Sequence, residues 1–216
     1  MKKIKKIDMA IYLLLALVFV QLVVVYPKLP QTIPTHWNFR GELDGHGGKS
    51  TIWFLYALTW FVYGTMVISP KIDPKKENYA KFENVYDIFK FMMVLFMVGM
   101  IEVTLKATFD PTKVNMGQLV PMMVSVLIIM FGNYLPKCKH NYMLGIRTPW
   151  TLASEEVWNK THRFSGPVWV IGGLVSLGVC VFFGNRSAAG IISFIAMSAV
   201  CVISVAYSYI IFKKRN

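Results

Sequence analysis

Cysteine is scarce in this chain: Cys138, Cys180 and Cys201 are the three present. One falls between hydrophobic runs and two fall within them. No outward-facing loop carries a cysteine, which excludes a disulfide framework, and no Cys-rich metal motif occurs. Acidic residues are also few, 11 against 23 Lys and Arg, for a formal charge of +12. No Ser or Cys nucleophile is spaced with a His and an acid in a recognisable way, and no Gly-rich phosphate loop is present. The chain therefore does not read as an enzyme, and no cofactor is implied. Internal repeats and low-complexity tracts are absent. Polar residues in mid-span are scarce too, and both absences weigh against a transporter.

What is there is hydrophobicity. It accounts for 55% of the 216 residues, mean hydropathy is +0.49, and the apolar residues come in runs. That is too apolar for a soluble domain of this size. Strong basicity can signal nucleic acid, but here the basic residues sit between the runs. The lipid bilayer, with anionic headgroups, is the implied partner, with no direct nucleic acid contact. Six spans follow: 7–26, 51–69, 88–105, 118–135, 167–184 and 188–212. The fold class is all-α, a single integral membrane domain. The basic start through Lys6 resembles a signal peptide, but the apolar run is too long and lacks a small-x-small cleavage site before Pro27. It reads as an uncleaved first span.

Charge sets the orientation. Lys2, Lys3, Lys5, Lys6, Lys71, Lys75, Lys76, Lys81, Lys137, Lys139, Arg147, Lys160, Arg163, Lys213, Lys214 and Arg215 lie on one side. The other side has Lys28, Arg40, Lys49, Lys106, Lys113 and Arg186, and Lys90 is uncounted at a span edge. The positive-inside rule then puts both termini in the cytoplasm.

Two loops carry the patterned polar residues. The outer module, 27–50, holds three prolines in an extended first half, then His36, Trp37, Asn38, Gly41, Glu42, Asp44, Gly45, His46, Gly47 and Lys49. Asp44-Gly45 and Gly47-Gly48 are turn signals, with the tight turn at 185–187 expected on the same side. His36, His46, Glu42 and Asp44 have the donor types of a divalent metal site, but their spacing matches no metal motif, and solvated turn residues are the preferred reading. His36 and Trp37, with Asn38 and Asp44, form a candidate ligand-meeting surface.

The cytoplasmic motif loop, 136–166, contains Asn141, Gly145, Ile146, Arg147, Thr148, Pro149, Trp150, Thr151 and Leu152, then Glu155, Glu156, Trp158, Thr161, His162 and Arg163. Gly145 permits a turn that a Cβ would resist, and Pro149 fixes its own φ. Between them the Arg147 guanidinium is placed to clamp a carboxylate or lipid phosphate. Equally, it could pair with Glu155 or Glu156 and only fold the loop. Thr151 or Ser154 is positioned to cap a short interfacial helix, with the glutamates in its first turn. Trp150 and Trp158 read as interface anchors. His162 is placed to titrate near neutrality or to make one fixed hydrogen bond.

The run N-x-x-x-G-I-R-T-P-W-T-L-x-x-x-E-x-W-x-x-x-x-R resembles the cytoplasmic motif of the bacterial Sdp immunity family. The run P-x-H-W-N-x-x-G-E-x-D-G-x-G-x-K is similar to that family's small amino-terminal module. The resemblance implies two activities. One is protection against a secreted, membrane-active peptide toxin arriving from outside. The other is toxin-dependent capture of a soluble transcriptional repressor on the cytoplasmic side.

Two further features bear on alternatives. Glu102 is the one acid read inside a span, and an ion pathway would use it. Lys106, four residues on, suggests an i,i+4 ion pair instead. Gly172, Ser176, Cys180 and Gly184 form a small-residue stripe suited to close helix packing. A membrane enzyme would require His162 and Glu156 to meet in a cavity.

Overall fold

Twenty nearly unbroken apolar residues form α1 (Lys6–Val25). Its buried positions Ile11, Leu15, Val18 and Leu22 recur at three- and four-residue steps, laying one stripe against neighbouring helices. The computed structural model describes residues 5–38, 41–184 and 188–215. Lys2, Lys3, Arg40, Arg186 and the predicted turn at 185–187 lie outside the described residues.

After a short 3₁₀ turn, the chain forms a hairpin of β1 (Thr32–Trp37) and β2 (Leu43–Gly48). The strands are antiparallel, with Thr32 opposite Gly48 and Trp37 opposite Leu43, and the register shifts near His36. The helices α2 (Thr51–Ile72), α3 (Glu83–Phe109) and α4 (Met116–Tyr134) follow. A five-residue α5 (Pro149–Ala153) precedes α6 (Glu155–Phe183) and α7 (Ala188–Arg215). Six helices, all but α5, are long and apolar enough to cross a membrane. The expected all-α, six-span architecture therefore stands, with a two-stranded sheet as its β content among the described residues.

The helices fall into two groups. Residues of α1, α2 and α3 share one core that includes Leu29 and Ile33 at the hairpin. In the second group α6 packs against both α4 and α7. The small-residue stripe lies in this second interface. Ser176 and Ser125 of α4 approach to 2.7 Å, and Cys180 and Ser193 of α7 to 3.1 Å. Both partners of the stripe are thus helices of the same chain. The groups touch at the hairpin end, where Gly41, at φ +78°, lies so close to Gly117 that a Cβ would come within 2.6 Å of its backbone nitrogen.

Several expectations are corrected. The short helix expected to start near Ser154 is not separate from the fifth span: α6 runs unbroken from Glu155 through Pro167, which the sequence places at the start of that span. Ser154 caps α6 by accepting from Val157 N–H, which anchors the helix start twelve residues earlier. Glu102 accepts from Gln21 Nε2 on α1 at 3.0 Å, so its partner is on another helix and is not Lys106. Nor is Glu102 the one acid in a span. Asp8 sits in α1, where its carboxylate lies 2.7 Å from Lys90 Nζ and accepts from the Tyr63 hydroxyl at 3.1 Å. Lys90 also lies 3.0 Å from Asp87, and Lys5 reaches Asp87 at 2.9 Å and Glu83 at 2.5 Å. Charges taken from water need such partners, and here the pairing ties α1, α2 and α3 together at one end.

Candidate functional site

The motif loop is built around the side chain of Asn141, which is fully buried. Its Oδ1 accepts from Met143 N–H at 2.8 Å and Leu144 N–H at 2.7 Å. Its Nδ2 donates to the carbonyls of Lys139 and Leu144 at 2.8 and 3.0 Å. One amide thereby satisfies four backbone groups, which a turn buried away from water requires.

Gly145 follows, with φ at +119°. A Cβ there would lie 2.4 Å from His162 Nε2, so the position demands glycine twice over, by conformation and by space. The close approach serves a bond: Ile146 N–H donates to His162 Nε2 at 3.0 Å. Since that nitrogen accepts, Nδ1 carries the proton of the neutral ring and donates to Trp158 O at 2.9 Å. The imidazole stacks on the Trp158 indole with centroids 4.0 Å apart. Trp158 Nε1 donates to Cys138 O at 3.0 Å. Trp158 is 0% exposed and His162 1%. Trp158 is therefore the core of the loop and not an interface anchor.

Thr148 and Thr151 form a reciprocal cap on α5: Thr148 N–H donates to Thr151 Oγ1 at 2.9 Å and Thr151 N–H to Thr148 Oγ1 at 3.2 Å. Pro149 occupies the first helical position, where its missing N–H costs nothing. The Thr148 hydroxyl lies 3.1 Å from that of Ser208 on α7. Trp150 packs on Tyr209, centroids 5.0 Å apart, and Arg215 donates to Ser154 Oγ at 2.5 Å.

Arg147 is different. It is exposed, and its guanidinium donates to Tyr142 O at 2.8 Å. It takes neither expected glutamate partner. Glu156 instead pairs with Lys160 at 2.7 Å and Arg215 at 3.5 Å. With Glu156 exposed and His162 enclosed, the pair that a membrane enzyme would require is not assembled.

The sequence reading missed the loop's other support. Asp73, just past α2, is 2% exposed. Its carboxylate accepts from Tyr142 N–H and the Tyr79 hydroxyl, each at 2.8 Å, and from Lys75 N–H at 2.7 Å. Asn78 Nδ2 donates to His140 O at 2.9 Å. Burial, then the bond to Asp73, pushes the Tyr79 phenol well above its ordinary range. Burial pushes the Cys138 thiol up to about 12, leaving it a neutral packing group. His140 is held below the usual imidazole value, first by burial and then by the charge of Lys75. The Asp73-Pro74 pair is the turn signal in the segment 70–87 that marks this position.

The second set of predicted residues lies at the other end of α2, about 33 Å away along its 22 residues. His36 Nδ1 is 2.5 Å from Asp44 Oδ1. Asn38 donates to the Glu42 carboxylate at 2.8 Å and accepts from Glu42 N–H at 3.1 Å, closing the turn. Trp37 packs on the cluster of Val103, Ala107 and Met116. The structure thus assembles the thirteen predicted site residues into two separate groups, one per end of the helix bundle. No cluster of three or more metal-ligating side chains occurs among the described residues.

Comparison with known proteins divides the chain along the same line. Residues 13–59 match a domain of unknown function, DUF1648. Residues 137–208 match the SdpI/YfhL protein family. The chain is also similar to the immunity protein SdpI of Bacillus subtilis (strain 168), with 25% identity over 204 residues, 94% of this chain and 95% of that protein. No solved structure matches. Residues 137–208, which match the SdpI/YfhL protein family, are the segment that holds the Asn141 turn, the buried Trp158–His162 pair and the exposed Arg147.

Proposed function

We propose that this protein is an Sdp-type immunity and signalling protein of the bacterial cytoplasmic membrane, with both termini inside. The hairpin face meets a secreted membrane-active peptide, and the motif-loop face captures a soluble repressor. The carrying observation is the contrast within the motif loop. Asn141, Thr148, Thr151, Trp158 and His162 are consumed in folding it, while Arg147 stands exposed at its surface on a backbone they hold rigid. A guanidinium presented this way suits bidentate recognition of a carboxylate on a partner. Similarity to an immunity protein supports the first half of the reading, and the sixteen-to-six charge asymmetry supports the orientation.

The test has two arms. Cells of a sensitive host expressing the protein are challenged with membrane-active peptides; unchanged killing, with the protein confirmed in the membrane, removes the immunity reading. Crosslinking pull-downs from the native membrane are run with wild type and Arg147→Ala. Capture of a soluble DNA-binding protein by wild type, reduced roughly tenfold in the variant by loss of a charge-assisted contact, supports signalling. Equal capture by both removes Arg147 from the site.

A further inference from the structure

Between the two helix groups, beneath the hairpin, lies a cleft of about 340 Å³. Leu55 of α2, Met100 of α3, and Met116 and Val120 of α4 line it, with Trp37 and Asn38 of the hairpin region at its rim. Its size falls within the roughly 300–1,000 Å³ of ligand sites, and an apolar interior with a few polar groups at one end is the usual composition of such sites. The thioethers of Met100 and Met116 can adapt to irregular apolar shapes. The cleft sits where the groups are joined through the Gly41–Gly117 contact.

The hairpin beside it narrows the ligand class. Its sheet has two strands, so each strand pairs on one side alone. An open strand edge offers backbone donors and acceptors to an extended peptide. A lipid acyl chain has the apolar chemistry of the walls but nothing to offer that edge. An amphipathic peptide has both.

We propose that this cleft binds a segment of an amphipathic, membrane-active peptide, with apolar side chains between α2, α3 and α4 and backbone against the hairpin. The inference deepens the immunity reading and rests on it for the outward orientation of the hairpin. It names a site that the motif resemblance leaves open, since Leu55, Met100 and Val120 belong to neither motif.

A photoreactive p-benzoylphenylalanine replaces Val120 in one full-length variant, and Val126, an exposed position on the same helix outside this cleft, in a second. Both are placed in native membranes, confirmed as folded by size-exclusion profile, and irradiated with a panel of biotinylated amphipathic peptides. The expected result is roughly tenfold stronger peptide labelling from position 120 than from 126. That labelling is reduced by Leu55→Trp, which fills the cleft. Equal labelling at both positions, lipid as the sole adduct at position 120, or no peptide adduct anywhere in the panel overturns the proposal. Protection from killing without preferential labelling at 120 leaves immunity standing and removes the cleft. Preferential labelling without protection keeps the cleft and removes immunity.

Discussion

At the scale of single residues, the motif loop shows how far identity can be dictated by a neighbour. Gly145 is fixed by His162, whose Nε2 occupies the space a Cβ would take and binds the next backbone N–H. Gly145→Ala is expected to cost roughly 1–3 kcal/mol through the positive φ alone, with the displaced imidazole adding to it. Thermal unfolding in detergent should fall accordingly, and protease cleavage near 142–147 should rise while the spans stay helical. A wild-type melting profile would show that His162 can move aside. The glycine's role was legible in sequence as a turn, and so was the Ser154 cap of α6, because both depend on near neighbours; the Thr148 cap of the five-residue α5 was not. Burial of Trp158 was not. A tryptophan beside a span usually marks the interface, and only the fold of residues 138–146 over α6 encloses it. Arg147 was legible as the residue of interest but not its contact, since a backbone carbonyl leaves no mark in the sequence.

At the scale of elements, hydropathy gave the six helices but misplaced the starts of α3 and α6, which run beyond the apolar core of their spans. Composition cannot separate a helix's membrane part from its extension when the extension is held by a protein loop. The same loop carries a pH dependence. His140 is 5% exposed and its imidazole is held below its ordinary value, so the folded loop prefers it neutral. The unfolded loop binds the proton near its usual value of about 6.5. As pH falls below that value the unfolded form gains protons first, and loop stability declines until the folded-state value is passed. Hydrogen exchange across 138–146, taken relative to the intrinsic amide rate at each pH, should therefore accelerate between about pH 7 and 5, and His140→Gln should lessen that dependence, leaving the part carried by His162. Acceleration that is the same in the variant would assign the effect to another group.

At the scale of the whole molecule, the two matched segments correspond to two helix groups: 13–59 lies in the first and 137–208 in the second. Signalling across the bilayer requires that these groups share a coupling free energy. The physical candidates for carrying it are the α3–α4 packing, where the Phe89 and Phe131 rings lie 4.7 Å apart, and the contacts at the two ends. At the hairpin end Gly41 abuts Gly117; at the other end Asp73, on the loop that continues α2, grips Tyr142 N–H. Because α2 starts beside the hairpin and stops at Asp73, movement of that helix bears directly on the Asn141 turn. Asp73→Ala would leave the Tyr142 amide without its acceptor, at roughly 1–3 kcal/mol for a buried group left unsatisfied, while the Tyr79 hydroxyl keeps Asn141 Oδ1 at 3.4 Å. The expected outcome is faster hydrogen exchange at 141–147 in nanodiscs and loss of Arg147-dependent partner capture, with peptide labelling from position 120 retained. Asp110→Ala serves as control, because that carboxylate pairs with Lys113 at an exposed site outside the motif loop. If Asp73→Ala leaves partner capture intact while exchange rises, the clamp only stabilises the loop, and coupling between the faces must run through α4 and α6.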